Sequence, residues 1–376
     1  MALVDLARLP HVVAGPSART RAASLAGAGN VLLVADPGLK ASGLIDDLEG
    51  ILRAGGAKVS VFTALQSDPT VAQADAAANQ ARAHRADTVV CLGGGSALDL
   101  GKTVAAIAPA SASAGVYQLC ETPLPAKPLR KICVPTTAGT GSEATRTAIL
   151  TRADHAKVWL WGDEIKSDAV VLDPDLTRTL PAHLTAATGI DALIHAVEAA
   201  TNRNASSASD LFAYEAIRLV SRHLLRAIAA PGDLEARLGL LWGATFAGVA
   251  IDNCGTAIAH ALGHALGSLR PIHHGRAVGV AMLASLPWNV EGNDAFARCA
   301  RAMGASATAA GFIDAFGRLL DESGVKISLR EDFAGVTADA LAAQTERPEN
   351  QAMLASNRRA ASRADLVAIA ERMLAF

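Results

Sequence analysis

The pattern of apolar residues changes near residue 180, and this change constrains the fold more than any other feature of the chain. Before it, short apolar runs of the kind that form β-strands alternate with helix-like stretches. The runs lie at residues 30–36, 58–63, 87–92, 131–135, 157–161 and 169–173. Continuous apolar strands that alternate with helices are typical of a parallel sheet covered on both faces.

Beyond residue 180 the strand-like runs disappear. Ala, Leu, Arg and Glu dominate there, and the apolar residues recur at helical spacing. The turn-rich segment DPDLTRTLP lies at the transition. We therefore predict two domains: an α/β domain over residues 1–178 and an all-helical domain over residues 179–376.

Composition and charge narrow the class of partner. The 376 residues are 51% hydrophobic and 19% charged, which provides a buried core and argues against extensive disorder. The formal net charge of −2 offers no basic surface for nucleic acid or an anionic membrane, so we expect a small-molecule partner. Five scattered cysteines without a CxxC pair, and an N-terminus without a signal-peptide pattern, favour the cytoplasm.

Three features of the first half point to a nucleotide. Residues 93–96 (GGGS) follow a strand and precede a helix, so the backbone can approach a phosphate at the helix start. Residues 135–145 (PTTAGTGSEAT) offer hydroxyls and backbone amides after another strand. Asp36, at the end of the first strong strand, can accept hydrogen bonds from a ribose or simply close the strand in a turn. The first loop could instead be a tight strand-to-helix turn, although such a turn rarely needs three glycines, and the second could be an ordinary loop without a ligand.

Histidines cluster in the helical half. Four of the ten histidines lie within residues 260–274, as HALGH followed by HHG. His195 lies four residues after Asp191, so both share one face of a helix, and His264 follows His260 at the same spacing. An aspartate with three imidazoles suits Fe²⁺ or Zn²⁺ and leaves a position open for a substrate oxygen. The alternative is a set of hydrogen-bonded histidines without a metal; a zinc-protease motif is excluded because no Glu follows His260.

The order of the motifs identifies a family. GGGSALDLGK, PTTAGTGSEAT, GIDALIHAVE and HALGH with HHG occur in a sequence that resembles the iron-containing, group III alcohol dehydrogenases. The resemblance extends over about residues 20–376 and is least specific in the last hundred. It implies an α/β nucleotide-binding domain followed by an all-α metal-binding and catalytic domain, and a homodimer or larger homo-oligomer.

The resemblance also implies roles for individual residues. It implies that NAD, in preference to NADP, is bound by Asp36, Gly94, Gly95, Ser96, Asp99, Thr136, Thr137, Ser142 and Lys157. It implies that one divalent metal, Fe²⁺ in preference to Zn²⁺, is bound by Asp191, His195, His260 and His274. The metal would act as a Lewis acid on the alcohol oxygen, the nicotinamide would take the hydride, and His264 would relay the proton.

Two other reactions remain open. A maleylacetate reductase shares the fold, and Arg270 could bind its anionic substrate, or could be an exposed arginine at a helix end. That group tends to lack the aspartate found here as Asp99. A dehydroquinate synthase-like lyase would need a cluster of basic residues near the metal motifs, and we see none. A non-catalytic binding protein is disfavoured because the cofactor loops and the ligand set are both complete.

Overall fold

The chain folds into two compact units. The structure, a computed structural model, describes residues 6–376. The division falls between Leu180 and Pro181, and the first unit begins at Arg8. Ala7 belongs to the second unit, where its N–H donates a hydrogen bond of 2.8 Å to Asn253 Oδ1.

The first unit is built on a parallel six-stranded sheet. The strands of this unit are β1 (His11–Ala14), β2 (Asn30–Ala35), β3 (Lys58–Phe62), β4 (Thr88–Gly93), β5 (Arg130–Pro135), β6 (Thr147–Thr151), β7 (Lys157–Trp161) and β8 (Ala169–Leu172). The sheet order is β1-β8-β5-β4-β2-β3, with every pair parallel. Strands β6 and β7 form a separate antiparallel hairpin.

The sequence pattern did not predict β1 or β6. Each has an apolar run of only three residues, 12–14 in β1 and 148–150 in β6. Strand β1 is an edge strand with exposed ends, and β6 alternates buried and half-buried residues. Their strand conformation comes from pairing with β8 and β7, respectively. Pairing partners are a tertiary property, which a local pattern does not contain.

Helices cover both faces of the sheet. They are α1 (Ala22–Ala26), α2 (Leu44–Ala54), α3 (Val71–His84) and α4 (Gly95–Ile107). Along β2, Leu32 and Val34 pack into one buried cluster, whereas Val31 and Leu33 pack into another on the opposite face. The predicted parallel sheet with two covered faces is therefore confirmed.

In the second unit, the regular secondary structure of the described residues is entirely helical. Its helices are α5 (Ala182–Thr201), α6 (Ser207–Ala229), α7 (Leu234–Cys254), α8 (Ile258–Leu269), α9 (His274–Asn289), α10 (Ala295–Ala302), α11 (Ala309–Glu322), α12 (Ala338–Thr345), α13 (Gln351–Ser356) and α14 (Arg363–Ala375). Helix α5 is the core of the unit, since 16 of its 20 residues are buried. It therefore carries Asp191 and His195 into the interior, where ionisable groups need partners.

One described helix, α7, is long and apolar enough to cross a membrane by length and composition. In its most apolar stretch, 67% of the residues are buried inside the unit. Burial of this kind is expected of a core helix packed against its neighbours.

Candidate functional site

Three of the predicted metal ligands meet in the interior of the helical unit. Asp191 and His195 lie one turn apart on α5, and His260 lies in the first turn of α8. Asp191 Oδ1 is 3.5 Å from His260 Nε2 and 3.8 Å from His195 Nδ1. One ligand atom from each of the three residues lies within 4.8 Å of the others. This spacing suits a single ion.

The fourth predicted ligand, His274, adjoins the same carboxylate. It is the first residue of α9, and its Nε2 lies 3.6 Å from Asp191 Oδ1. Its side chain is 27% exposed, whereas those of Asp191 and His260 are each 3% exposed. The cluster is therefore closed on the α5 side and partly exposed at His274.

The donor atoms fit a divalent metal. Among residues 6–376, Asp191 Oδ1 and His260 Nε2 are buried and have no hydrogen-bond partner. Burial of a carboxylate oxygen and an imidazole nitrogen without hydrogen-bond partners destabilises the fold, and a cation bound by both atoms would offset this penalty. The rings of His195 and His260 stack with centroids 4.3 Å apart, so both present ring edges to the same place.

The electrostatics of the cluster favour the ligand form of Asp191. Burial opposes the charged carboxylate, but the imidazoles of His195 and His274 outweigh burial and lower the Asp191 pKa below its ordinary value. Burial also opposes charge on His260, and the carboxylates of Glu198 and Asp191 nevertheless raise the pKa of His260 to about 9. Without a metal, His260 therefore holds a proton at neutral pH.

Glu198 is the main residue that the sequence analysis missed. Its Oε2 lies 2.6 Å from His260 Nδ1, and its two oxygens accept 2.7 Å hydrogen bonds from the N–H groups of Ala257 and Ala259. One buried carboxylate thus caps the start of α8 and orients the imidazole so that Nε2 faces Asp191. A signal existed, because Glu198 ends the motif GIDALIHAVE, three residues after His195 and on the same helix face.

A glycine sets the approach of His274. A Cβ added to Gly275 would lie 2.0 Å from the carbonyl oxygen of Ala187 on α5. Asp191 follows Ala187 by one helical turn, so this contact places the start of α9 beside the carboxylate. The HHG motif therefore has a packing reason as well as a chemical one.

His264 lies beside the ligands but outside their cluster. It follows His260 by one turn on α8, and its ring centroid is 5.3 Å from that of His274 and 6.4 Å from that of His260. Its residue is half-buried, in contrast to His260. The position is compatible with a proton relay, which remains a prediction.

In the α/β unit, residues 93–96 (the glycine loop) pack directly on residues 135–145 (the hydroxyl-rich loop). Gly94 caps the start of α4, and a Cβ on it would lie 3.2 Å from Thr137 Cγ2. A Cβ on Gly95 would lie 2.6 Å from Thr140 Cγ2. A side chain at Gly95 would therefore displace the second loop, whereas one at Gly94 would make a tight contact with it.

Two side chains of α4 anchor the hydroxyl-rich loop by hydrogen bonds. Asp99 accepts hydrogen bonds from Ser142 Oγ and from the N–H of Ile149, the latter at 3.0 Å. The fully buried ammonium of Lys102 donates to the carbonyl oxygens of Ser142 and Thr147, at 2.7 and 2.6 Å. Asp99 and Ser142 thus hold the loop to the helix, and buried Thr136 donates from its N–H to Gly93 O at 2.9 Å.

The remaining predicted nucleotide residues lie near the same strand ends. Asp36 caps the turn after β2 by accepting from the N–H of Gly38 at 2.8 Å, and a Cβ on Gly93 would lie 2.9 Å from Asp36 Cβ. Asp68, which the sequence analysis did not single out, links the two other predicted residues, Lys157 and Ser96. Its carboxylate accepts from Lys157 Nζ at 2.8 Å, and its N–H donates to Ser96 Oγ at 3.2 Å.

Arg270 binds the protein itself. Its guanidinium donates to the carbonyl oxygens of Asp332 and Ala334 at 2.8 and 2.7 Å. The charge is thereby directed at backbone oxygens of a neighbouring loop. Of the two interpretations left open by the sequence, the structure gives no support to an anion-binding Arg270.

A parallel-sheet unit with two packed glycine- and hydroxyl-rich loops, followed by a helical unit with an Asp-His₃ cluster, is the arrangement that the sequence resemblance implied for a metal-dependent dehydrogenase. The chain belongs to the iron-containing alcohol dehydrogenase family: the profile described as "Iron-containing alcohol dehydrogenase" matches residues 10–174, and that of the family's C-terminal domain matches residues 185–374. The predicted family and fold class are confirmed.

Known proteins agree with this assignment. The long-chain-alcohol dehydrogenase 1 of Geobacillus thermodenitrificans is 42% identical over 258 residues, 68% of this chain and 65% of that protein. The chain therefore aligns with slightly less than two thirds of that relative. The crystal structure of a 1,3-propanediol oxidoreductase is 30% identical and superposes with a TM-score of 0.90, covering 99% of this chain and 100% of that one.

A further structural neighbour bears on the cofactor. Sulfoacetaldehyde reductase from Bifidobacterium kashiwanohense, solved in complex with NAD⁺, is 26% identical with a TM-score of 0.91, covering 100% of this chain and 99% of that one. The family description names iron, and this neighbour binds NAD⁺. The predicted pair of cofactors is thus confirmed for the family.

Proposed function

We propose that this chain is a metal-dependent, NAD(H)-linked alcohol dehydrogenase or aldehyde reductase that acts on a small alcohol or aldehyde. The observation that supports this most strongly is the meeting of Asp191, His195, His260 and His274 around one buried carboxylate oxygen. These four residues would hold the ion, Fe²⁺ in preference to Zn²⁺. When bound, the ion supplies Lewis acidity toward a substrate oxygen, and the nicotinamide accepts or donates the hydride.

The protein's own groups have distinct tasks in this proposal. Glu198 holds His260 in a fixed orientation through Nδ1. The half-exposed imidazole of His264, next to His274, takes the hydroxyl proton during oxidation and releases it to solvent. In reduction the His264 imidazole returns a proton to the substrate oxygen. One hydride and one proton thus leave each alcohol molecule, which becomes an aldehyde.

The nucleotide is proposed to lie on the two packed loops of the α/β unit. Gly94, Gly95 and Ser96 open α4, and Thr136, Thr137 and Ser142 belong to the loop that packs against them. Asp99 anchors that loop, Asp36 lies beside Gly93, and Lys157 binds Asp68, whose N–H donates to Ser96 Oγ. Asp36 favours NAD over NADP because its carboxylate would repel a 2′-phosphate.

The substrate is proposed to be uncharged near the reacting carbon. The maleylacetate reductase alternative depended on Arg270, whose guanidinium binds the carbonyl oxygens of Asp332 and Ala334. Within residues 6–376, no described contact favours the lyase alternative. We also expect a cytoplasmic protein that forms a homodimer or a larger homo-oligomer, which light scattering coupled to gel filtration would test.

The proposed function has a direct test. The purified protein, freed of metal and loaded anaerobically with Fe²⁺ or Zn²⁺, is followed by NADH absorbance with short alcohols, diols, hydroxy acids and the matching aldehydes. We expect metal-dependent turnover that is lost in His260→Ala. The matched control is His183→Ala, since His183 is exposed in the first turn of the same helix as Asp191. Metal and NAD binding without any redox turnover would contradict the proposal.

The proton relay is tested separately with His264→Gln. This change keeps a polar side chain of similar size but removes the imidazole, which can take up and release a proton. We expect normal metal content, a lower kcat and a pH profile that differs from that of the wild type. Full activity with an unchanged pH profile would show that the proton leaves by another route.

A further inference from the structure

The connection that delivers His274 is irregular. Helix α8 ends at Leu269 and α9 begins at His274, so the last predicted ligand follows directly after four non-helical residues. The other three ligands lie inside helices α5 and α8. A ligand at the end of a short connection needs external support if its position is to be fixed within a fraction of an ångström.

Arg276, two residues after His274, provides one support. Its Nε donates to Lys326 O at 2.7 Å, and its Nη2 donates to Ser328 O and to Asp332 Oδ2, the latter at 2.6 Å. The Arg276 side chain is only 17% exposed. Its guanidinium also holds the pKa of Asp332 below the ordinary value.

Arg270 provides a second support from the other end of the connection. As described above, it donates to the carbonyl oxygens of Asp332 and Ala334. Both arginines therefore bind the same loop, residues 326–334. The loop is itself fixed, because the side chains of Leu329 and Phe333 are buried, with 0% and 2% exposure.

We propose that Arg270 and Arg276 are positioning residues for the metal ligand His274. Together they hold the segment 270–276, which contains the connection and the start of α9, on one loop, so that His274 Nε2 remains beside Asp191 Oδ1. A guanidinium suits this task because its donors form a rigid planar fork. The inference depends on the proposed function only in requiring that Asp191 and His274 bind a metal.

The test measures metal binding directly, using Co²⁺ as the probe. Metal-free wild-type protein and the variants Arg276→Gln, Arg270→Gln and Arg276→Lys are titrated with Co²⁺ in competition with a chelator, and the visible spectrum of the bound ion is recorded. Arg363→Gln is the matched control: Arg363 likewise binds a backbone carbonyl, Asp339 O at 2.8 Å, and a carboxylate, that of Glu346.

We expect Arg276→Gln to lower Co²⁺ affinity by about 10–100-fold, the usual effect of losing a residue that orients a metal ligand. The spectrum should change as the fourth ligand becomes disordered, with partial recovery in Arg276→Lys and no change in Arg363→Gln. If Arg276→Gln fails to fold, Asp332→Asn keeps the backbone bonds to the loop and should weaken affinity less strongly.

The outcomes separate this inference from the proposed function. Wild-type affinity and an unchanged spectrum in both Arg276→Gln and Arg270→Gln would overturn the positioning role of the two arginines and leave the proposed metal site intact. A wild-type protein that gives no spectrum of bound Co²⁺ would overturn the metal site itself, and with it the positioning role of the two arginines.

Discussion

Glu198 Oε2 and His260 Nδ1 are joined across two helices by a contact of 2.6 Å. The same carboxylate accepts from the backbone N–H groups of Ala257 and Ala259 at the start of α8. Helix capping and ligand orientation are therefore functions of one buried side chain. Because Nδ1 is engaged, Nε2 is the nitrogen left to face Asp191.

The first prediction concerns this carboxylate. Glu198→Gln keeps the size of the side chain but leaves one acceptor oxygen where two are used, so one buried donor loses its partner. We expect Zn²⁺ affinity to fall by about 10–100-fold and the free energy of unfolding to fall by about 1–3 kcal/mol. Chelator competition and urea unfolding measure the two effects. Glu215→Gln, which removes an exposed carboxylate paired with Arg218 on α6, should change neither.

The second prediction concerns pH. In the metal-free protein the pKa of His260 is raised to about 9, so the proton must leave before Nε2 can bind a metal. The apparent association constant for Zn²⁺ should therefore rise by about tenfold per pH unit between roughly pH 7 and 9 and level off above it. The sign follows because a raised pKa stabilises the protonated, metal-free state at lower pH. Proton release on metal addition near pH 7.5, measured in weak buffer, provides the check, and its absence would contradict a protonated His260.

The third prediction concerns the approach of two helices. Gly275→Ala places a methyl group 2.0 Å from Ala187 O, so α9 must move away from α5. We expect a loss of about 1–3 kcal/mol in the free energy of unfolding, together with weaker metal binding because His274 moves with the helix. Gly317→Ala on α11 has nothing within 4 Å of its added Cβ and should be neutral or stabilising by up to about 1 kcal/mol. Equal effects of the two changes would argue against the packing explanation.

The fourth prediction concerns the nucleotide loops. Gly95→Ala brings its Cβ within 2.6 Å of Thr140 Cγ2, so the hydroxyl-rich loop must shift. We expect NAD affinity to fall by about tenfold, the equivalent of about 1.4 kcal/mol. Thr140→Ala removes the clashing atom, so the double variant should recover part of the loss, which a double-mutant cycle quantifies. Gly50→Ala on α2, with open space at its Cβ, is the control.

The sequence predicted the cluster around Asp191 because its signal is local. Asp191 and His195, one helical turn apart, must share a helix face, and HALGH repeats that spacing on α8. The glycines after β4 were also visible, but their cause was not: Thr137 and Thr140 approach Gly94 and Gly95 from a loop more than 40 residues further along the chain. Asp68 was missed because a single carboxylate has no pattern of its own, and Glu198 was missed although it lies three residues after His195 on the same helix face.

The sequence by itself determined the family, the two kinds of unit and the identity of the chemical groups, because periodicity and motif order are properties of neighbouring residues. Only the tertiary structure decided which groups face each other. It brought His274 to Asp191 through the contact of Gly275 with Ala187, and it directed Arg270 to the carbonyl oxygens of residues 332 and 334. The physical reason is that packing, burial and hydrogen-bond partners depend on long-range contacts, which no local spacing specifies.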